Sequence, residues 1–138
     1  MKLVLDTNVF ISAFYWGGTP QKIIDRIAEG ADELYISNEI LSEIASVMHR
    51  PKFKSAPEVI ERYIRAIEKL GKKVFITGKT KGICRDENDD DKLECGLLGH
   101  ADYLITGDAD LLILKNFQQI KIVTINEYLQ ITDALNLS

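Results

Sequence analysis

The chain has 138 residues, of which 46% are hydrophobic and 28% charged, and a formal net charge of −4 at pH 7. That length suits a single domain, 1–138, whose one core buries roughly two thirds of the unfolded surface, and the composition excludes disordered, collagen-like and membrane classes. The longest apolar stretch, Val9 to Trp16, falls well short of the roughly 20 residues of a membrane span, and Asp6 interrupts what would be the apolar part of a signal peptide, so a cytoplasmic address is expected.

Lys2 to Leu5 is a short run of strand character ending at Asp6, and Val9 to Tyr15 resumes as an apolar helix. After Gly17-Gly18, Thr19-Pro20 supplies an N-cap and first-turn proline for a helix with Ile23, Ile24, Ile27 and Ala28 on one face, stopped by Gly30. Leu34 to Ile36 is a second strand. Ser37 or Asn38 then caps a third helix with Ile40, Leu41, Ile44, Val47 and Met48 inward, ended before Pro51.

Ser55-Ala56-Pro57-Glu58 reads as a capping box opening a helix with Val59, Ile60, Tyr63, Ile64, Ile67 and Leu70 at helical spacing up to Gly71. Lys73 to Thr77 is a third strand and Gly78 to Asn88 a loop. Asp89 to His100 is a fifth helix, capped by Asn88 or Asp89, with Leu93, Leu97 and His100 on one side. Tyr103 to Thr106 and Ile120 to Thr124 are the fourth and fifth strands, and Asn126 to Ile131 closes the chain as a helix. Short apolar strands alternating with helices predict an α/β fold with a mostly parallel sheet of about five strands, covered on both faces.

The charge is segregated. Residues 50 to 73 carry eight basic side chains and three acids, whereas residues 86 to 110 carry nine acids and Lys92 alone. This suggests an acidic cleft beside a basic rim. Cys84 and Cys95 lack the spacing of a zinc or redox pair and read as reduced and structural.

In parallel sheets ligands bind beyond the carboxyl ends of the strands. Asp6 follows the first strand there, Asp108 the fourth, with Asp110 two residues on. Glu43 borders the apolar stripe of its helix beside Val47. Asp90 shares a face with Leu93 and Leu97, while Asp91 points to solvent. Each acid alone has a structural use, as a turn residue, a solvated helix residue or a cap; convergence on one edge makes them a site. Carboxylates so gathered repel, about 4 kcal/mol for two charges 4 Å apart at an effective dielectric near 20. A divalent cation relieves this, and all-oxygen ligands favour Mg²⁺ or Mn²⁺. Such a centre supports phosphodiester hydrolysis without a protein nucleophile; the only histidines, His49 and His100, lie at helix ends away from any serine partner. Setting aside Asp6, Glu43, Asp90, Asp108 and Asp110 as neutralised turns the net charge from −4 to +1, compatible with a polyanionic substrate.

These residues resemble a family. Leu5-Asp6-Thr7-Asn8, Glu43, Asp89-Asp90-Asp91-Lys92-Leu93 and Ala101-Asp102-Tyr103-Leu104-Ile105-Thr106-Gly107-Asp108-Ala109-Asp110-Leu111 look like the successive motifs of PIN-domain proteins, in particular the VapC-like toxins of toxin-antitoxin systems. The resemblance spans the chain. It implies a three-layer α/β/α PIN-like fold and Mg²⁺- or Mn²⁺-dependent endonucleolytic cleavage of single-stranded RNA. It also implies a cognate antitoxin protein as partner and a homodimer, dimers being common in that family. By position Asp6, Glu43, Asp90 and Asp108 match the family's metal-binding and catalytic acids, with Asp110 in addition, and Thr7, Asn8 and Thr106 its supporting polar positions. The chain departs from the pattern at Arg85-Asp86-Glu87-Asn88, where the family has a proline and one residue fewer. The third acid is therefore Asp89, Asp90 or Asp91; the distance back from Thr106 and the helical face favour Asp90. The competing functions are an RNA- or protein-binding module acting through residues 50 to 73 without hydrolysis, and a phosphotransfer or phosphatase domain, which should have a second acid at Asn8 or a suitably placed lysine, neither of which the sequence shows.

Overall fold

Leu3, Val4 and Leu5 are all buried, as a strand covered on both faces must be. In the computed structural model, which describes residues 1–137, they belong to β1 (Lys2–Leu5). The chain continues through α1 (Thr7–Trp16), α2 (Gly18–Ala28), β2 (Glu33–Ile36), α3 (Asn38–Met48), a 3₁₀ turn at Pro51–Phe53, α4 (Pro57–Leu70) and β3 (Lys72–Lys73). It then forms α5 (Glu87–Gly99), β4 (Tyr103–Ile105), α6 (Ala109–Leu112), β5 (Asn116–Phe117), β6 (Ile120–Val123) and α7 (Ile125–Leu137).

The sheet order is β3-β2-β1-β4-β6-β5. Among the described residues only the β5–β6 pair is antiparallel. From β1 the chain steps outward to β2 and β3, then returns past β1 to β4 and on to β6. Parallel crossovers are right-handed, so the connections to β2 and β3 cover one face and the connection carrying α5 covers the other. The direction of winding reverses between β1 and β4, and ligands of such sheets bind at that crevice.

Helix α5 lies very close to the sheet. A Cβ on Gly96 would stand 2.7 Å from Ile120, and one on Gly99 2.5 Å from the Tyr35 ring. No side chain larger than hydrogen fits either position without movement of its neighbour.

Several details differ from the sequence reading. The third strand was expected over Lys73–Thr77, but β3 ends at Lys73 because its partner β2 stops at Ile36 and Ser37 turns away to cap α3, accepting from the Ile40 amide at 3.2 Å. One more bond, Val74 N–H to Ile36 O at 2.8 Å, closes the pairing. Among the described residues a short antiparallel β5 brings the strands to six, against about five expected; its turn puts Gln118 at φ 55 without the glycine that would announce it. Ser55 does not cap α4: Ala56 is the N-cap, and the Ser55 hydroxyl lies 2.6 Å from that of Tyr15. Helix α2 begins at Gly18, so Thr19 is inside it. Helix α5 begins at Glu87 with Asp86 as its cap, and His100 lies exposed beyond its end at φ 53. Helix α7 runs well past Ile131, started by a reciprocal box in which Thr124 and Glu127 each accept the other's amide at 3.1 and 3.0 Å. Among the described residues no helix is long and apolar enough to cross a membrane.

Candidate active site

Asp6 ends β1 and stands at the N-cap of α1, yet its carboxylate makes no capping bond. Both of its oxygens are used elsewhere. Oδ2 accepts from the Thr106 hydroxyl at 2.6 Å and Oδ1 lies 2.8 Å from Lys92 Nζ. The Thr106 hydroxyl in turn accepts from the Asp108 amide at 3.0 Å. The ends of β1 and β4 are also joined by the Asp6 amide donating to Ile105 O at 2.9 Å. One buried threonine thus orients Asp6 and sets the turn that carries Asp108. The Asp108 carboxylate accepts from the Asp110 amide at 2.9 Å, capping α6.

The opposite wall is α5. At about 100° per residue, Asp89, Lys92, Leu93 and Gly96 fall on one stripe, the stripe pressed to the sheet at Gly96. Lys92 is 2% exposed. Its ammonium is 2.8 Å from Asp6, 3.3 Å from Glu43 and 3.3 Å from Asp89. These acids come from β1, α3 and α5. Burial alone would lower the Lys92 pKa, but Asp6 above all, then Glu43 and Asp89, outweigh it and raise the value, so the ammonium is charged at neutral pH. One ammonium does not balance three carboxylates. Asp89, 4% exposed, is pushed up to about 6, by burial first and then by the fields of Asp108 and Asp6, against the opposing pull of Lys92.

Asp6, Glu43 and Asp108 therefore sit where the sequence placed them, at the switch point. Asp90 does not join them. Its carboxylate accepts from the Gly82 amide at 3.0 Å and the Cys84 amide at 2.8 Å. One turn on, Glu94 accepts from the amides of Thr77 and Thr80 at 2.5 and 3.2 Å. Asp90 and Glu94 tie the connection from β3 down on α5, and Asp89 is the acid that faces Asp6. Leu93 and Leu97 point to Asp90 as the inward acid, but Gly96 and Gly99, seven residues beyond Asp89 and Lys92, mark the inward stripe better. Asp110 and Asn8 are exposed, while Thr7 is 2% exposed with no hydrogen-bond partner for its hydroxyl. Lys92 and Glu94 were not anticipated.

Carboxylate oxygens alone suit a hard divalent cation rather than zinc. Yet among the described residues no three acidic, histidine or cysteine side chains form a ready-made metal cage; the cation between them is Lys92. Two depressions flank the acids. One, of about 450 Å³, runs between α3 and α5 past Glu39, Glu43 and Asp91. The other, of about 330 Å³, is uncharged and lined by Thr19, Thr106, Gly107, Thr124 and Asn126. The basic stretch 50 to 73 is exposed along the 3₁₀ turn, α4 and β3, and part of it is spent locally, with Arg65 on Glu61, Lys72 on Glu33 and Lys73 on Glu68.

The family model for the PIN domain matches residues 2–110. An uncharacterized protein of Methanocaldococcus jannaschii is 35% identical over 119 residues, which span 84% of this chain and 76% of that protein. Among solved structures, the crystal structure of VapBC2 from Rickettsia felis bound to a DNA fragment from their promoter matches with a TM-score of 0.64. It covers 90% of this chain and 98% of that one at 14% identity, a likeness of fold.

Proposed function

This chain belongs to the PIN domain family, and from that premise we propose that it is a Mg²⁺- or Mn²⁺-dependent endoribonuclease hydrolysing phosphodiester bonds of single-stranded RNA. The observation that carries the proposal is the gathering of carboxylates from three separate segments, Asp6, Glu43 and Asp89, within 3.3 Å of one cation position at the switch point of the sheet. Asp108 completes the acids on the β4 side. These four would hold the ion, and the ion would supply the Lewis acidity that activates water and offsets charge on the phosphate.

The chain's own groups do the rest. Thr106 fixes the rotamer of Asp6 and the approach of the Asp108 turn through one hydroxyl. Leu5, Ile105 and Leu111, all buried, keep the floor of the site dry and strengthen each charge interaction above it. Phosphate is repelled by Glu39 and Asp91 in the larger depression, so the strand is expected to lie in the uncharged one beside Thr19 and Asn126. A toxin role, with a cognate antitoxin and a cytoplasmic address, is supported by the resemblance to VapC-like toxins and by the shared fold with VapBC2. Growth arrest on induction, relieved by the product of a neighbouring gene, is the expected result.

One observation favours a second reading, an RNA- or protein-binding module without hydrolysis: the cation among the acids is an ammonium. A single experiment separates the two. Purified protein with Mn²⁺ should cut single-stranded RNA, EDTA should stop the reaction, and Asp6→Asn should abolish it; binding without cleavage under all three conditions would establish the module instead.

A further inference from the structure

We infer that Lys92 is a built-in cation that holds the acidic centre together in the absence of metal and competes with the divalent ion for Asp6, Glu43 and Asp89. The inference rests on the metal-dependent reading above and adds a residue to it. An ammonium has three donors and no acceptor, and here its three neighbours are three carboxylates from three elements, at 2.8, 3.3 and 3.3 Å. With the side chain 2% exposed, nothing of the ammonium remains to greet a phosphate. Its partners are carboxylates that a metal ion would take, and they tie β1, α3 and α5 to one point.

A divalent ion entering among the same oxygens would stand within a few ångströms of a positive charge, in surroundings that screen poorly. Both cannot stay. Lysine shifts readily because its charge rides on a flexible four-carbon stem, and the depression beside Glu43 offers the displaced ammonium both room and the negative charge of Glu39 and Asp91. Metal binding is then an exchange of cations: the metal-free chain stays folded with an occupied but inactive centre, and the affinity for Mn²⁺ is set by what Lys92 gives up.

The test uses the full chain, its Lys92→Met and Lys92→Gln variants, and Mn²⁺ as the probe. Calorimetric titration should show both variants binding Mn²⁺ about tenfold or more tightly than the unaltered chain, a difference of about 1.4 kcal/mol. Thermal melts should show the variants less stable in EDTA and recovering more stability on addition of Mn²⁺ than the unaltered chain. Should the variants fail to fold, trace reductive methylation of the unaltered chain read by mass spectrometry gives an independent answer: Lys92 protected in EDTA and labelled in Mn²⁺. Equal or weaker Mn²⁺ binding by a folded variant, or equal protection of Lys92 with and without bound Mn²⁺, overturns the inference while leaving the metal-dependent reading intact. Absence of Mn²⁺ binding in the unaltered chain and in the variants alike overturns both.

Discussion

Strand β1 has a buried aspartate at each end. Asp32 meets the amino terminus just before its first residue and Asp6 follows its last, and each is 3% exposed. Their surroundings are opposite. Asp32 meets the N-terminal ammonium at 3.2 Å and Arg26 Nε at 2.8 Å, one acid between two cations, with the buried Tyr128 hydroxyl alongside. Burial alone would raise its pKa, but Arg26 and these neighbours hold it below the usual carboxylate value. At the other end three acids share one ammonium, and Asp89 is driven up to about 6. Burial therefore does not separate a structural carboxylate from a functional one; the ratio of cations to acids does. An excess of cation stabilises the fold, whereas a deficit is a binding capacity held at the cost of stability.

The strongest way to break this contrast is to neutralise each aspartate in turn. Asp6→Asn should reduce metal-dependent cleavage of single-stranded RNA to background, while Asp32→Asn should leave the rate per folded molecule unchanged. The cost of Asp32→Asn should instead appear in denaturant unfolding, about 3 kcal/mol, at the low end for a broken buried pair because Arg26 is partly exposed. Swapped outcomes would refute the contrast.

Thr106→Val removes the hydroxyl that orients Asp6 but none of the acids, and should lower Mn²⁺ affinity or activity by about 10–100-fold. A change in the melting point alone would make Thr106 a packing residue. The two ends should also respond to pH with opposite signs. In EDTA, Asp89 binds its proton more tightly folded (about 6) than unfolded (3.8), so its contribution to stability falls as pH rises from about 4 to about 6, by on the order of 2 kcal/mol. Asp32, with its pKa lowered on folding, contributes stability above about pH 4 that is lost as pH falls through its folded value. Asp89→Asn should accordingly abolish activity yet raise the melting point in EDTA at pH 7.5 by roughly 4 °C; a lower melting point would remove the claim of stored repulsion. The smallest effect concerns Cys95, buried away from both ends, whose thiol burial pushes up to about 12. Thiol reagents at pH 8 should leave it unmodified in the folded chain.

The corners of the site at strand ends were legible because strand ends are legible: a short apolar run stopping at Asp6 or at Thr106-Gly107-Asp108 fixes both the element and the edge it faces. Glu43 was legible from the border of a well-patterned helix. The α5 corner was not, since Asp86-Glu87-Asn88-Asp89-Asp90-Asp91 offers six polar residues among which the start of a helix can slide. The structure fixes the register through contacts no local pattern encodes, namely Gly96 against Ile120 and Asp90 on the amides of Gly82 and Cys84. Lysine is almost never fully buried unless paired, so nothing in the sequence singles out Lys92, and the three acids around it explain why it is inside. Likewise the third strand carried a continuous apolar run, Val74-Phe75-Ile76, and lacked only a partner strand beyond Ile36.

On the proposed function Asp6 and Asp89, not Asp90, hold the catalytic ion. Crystals soaked in Mn²⁺ and measured at the manganese absorption edge test it directly. An anomalous peak is expected in contact with Asp6 and Asp89, with the Asp90 carboxylate still on the amides of Gly82 and Cys84; a peak coordinated by Asp90, or none at this edge of the sheet, would contradict that assignment.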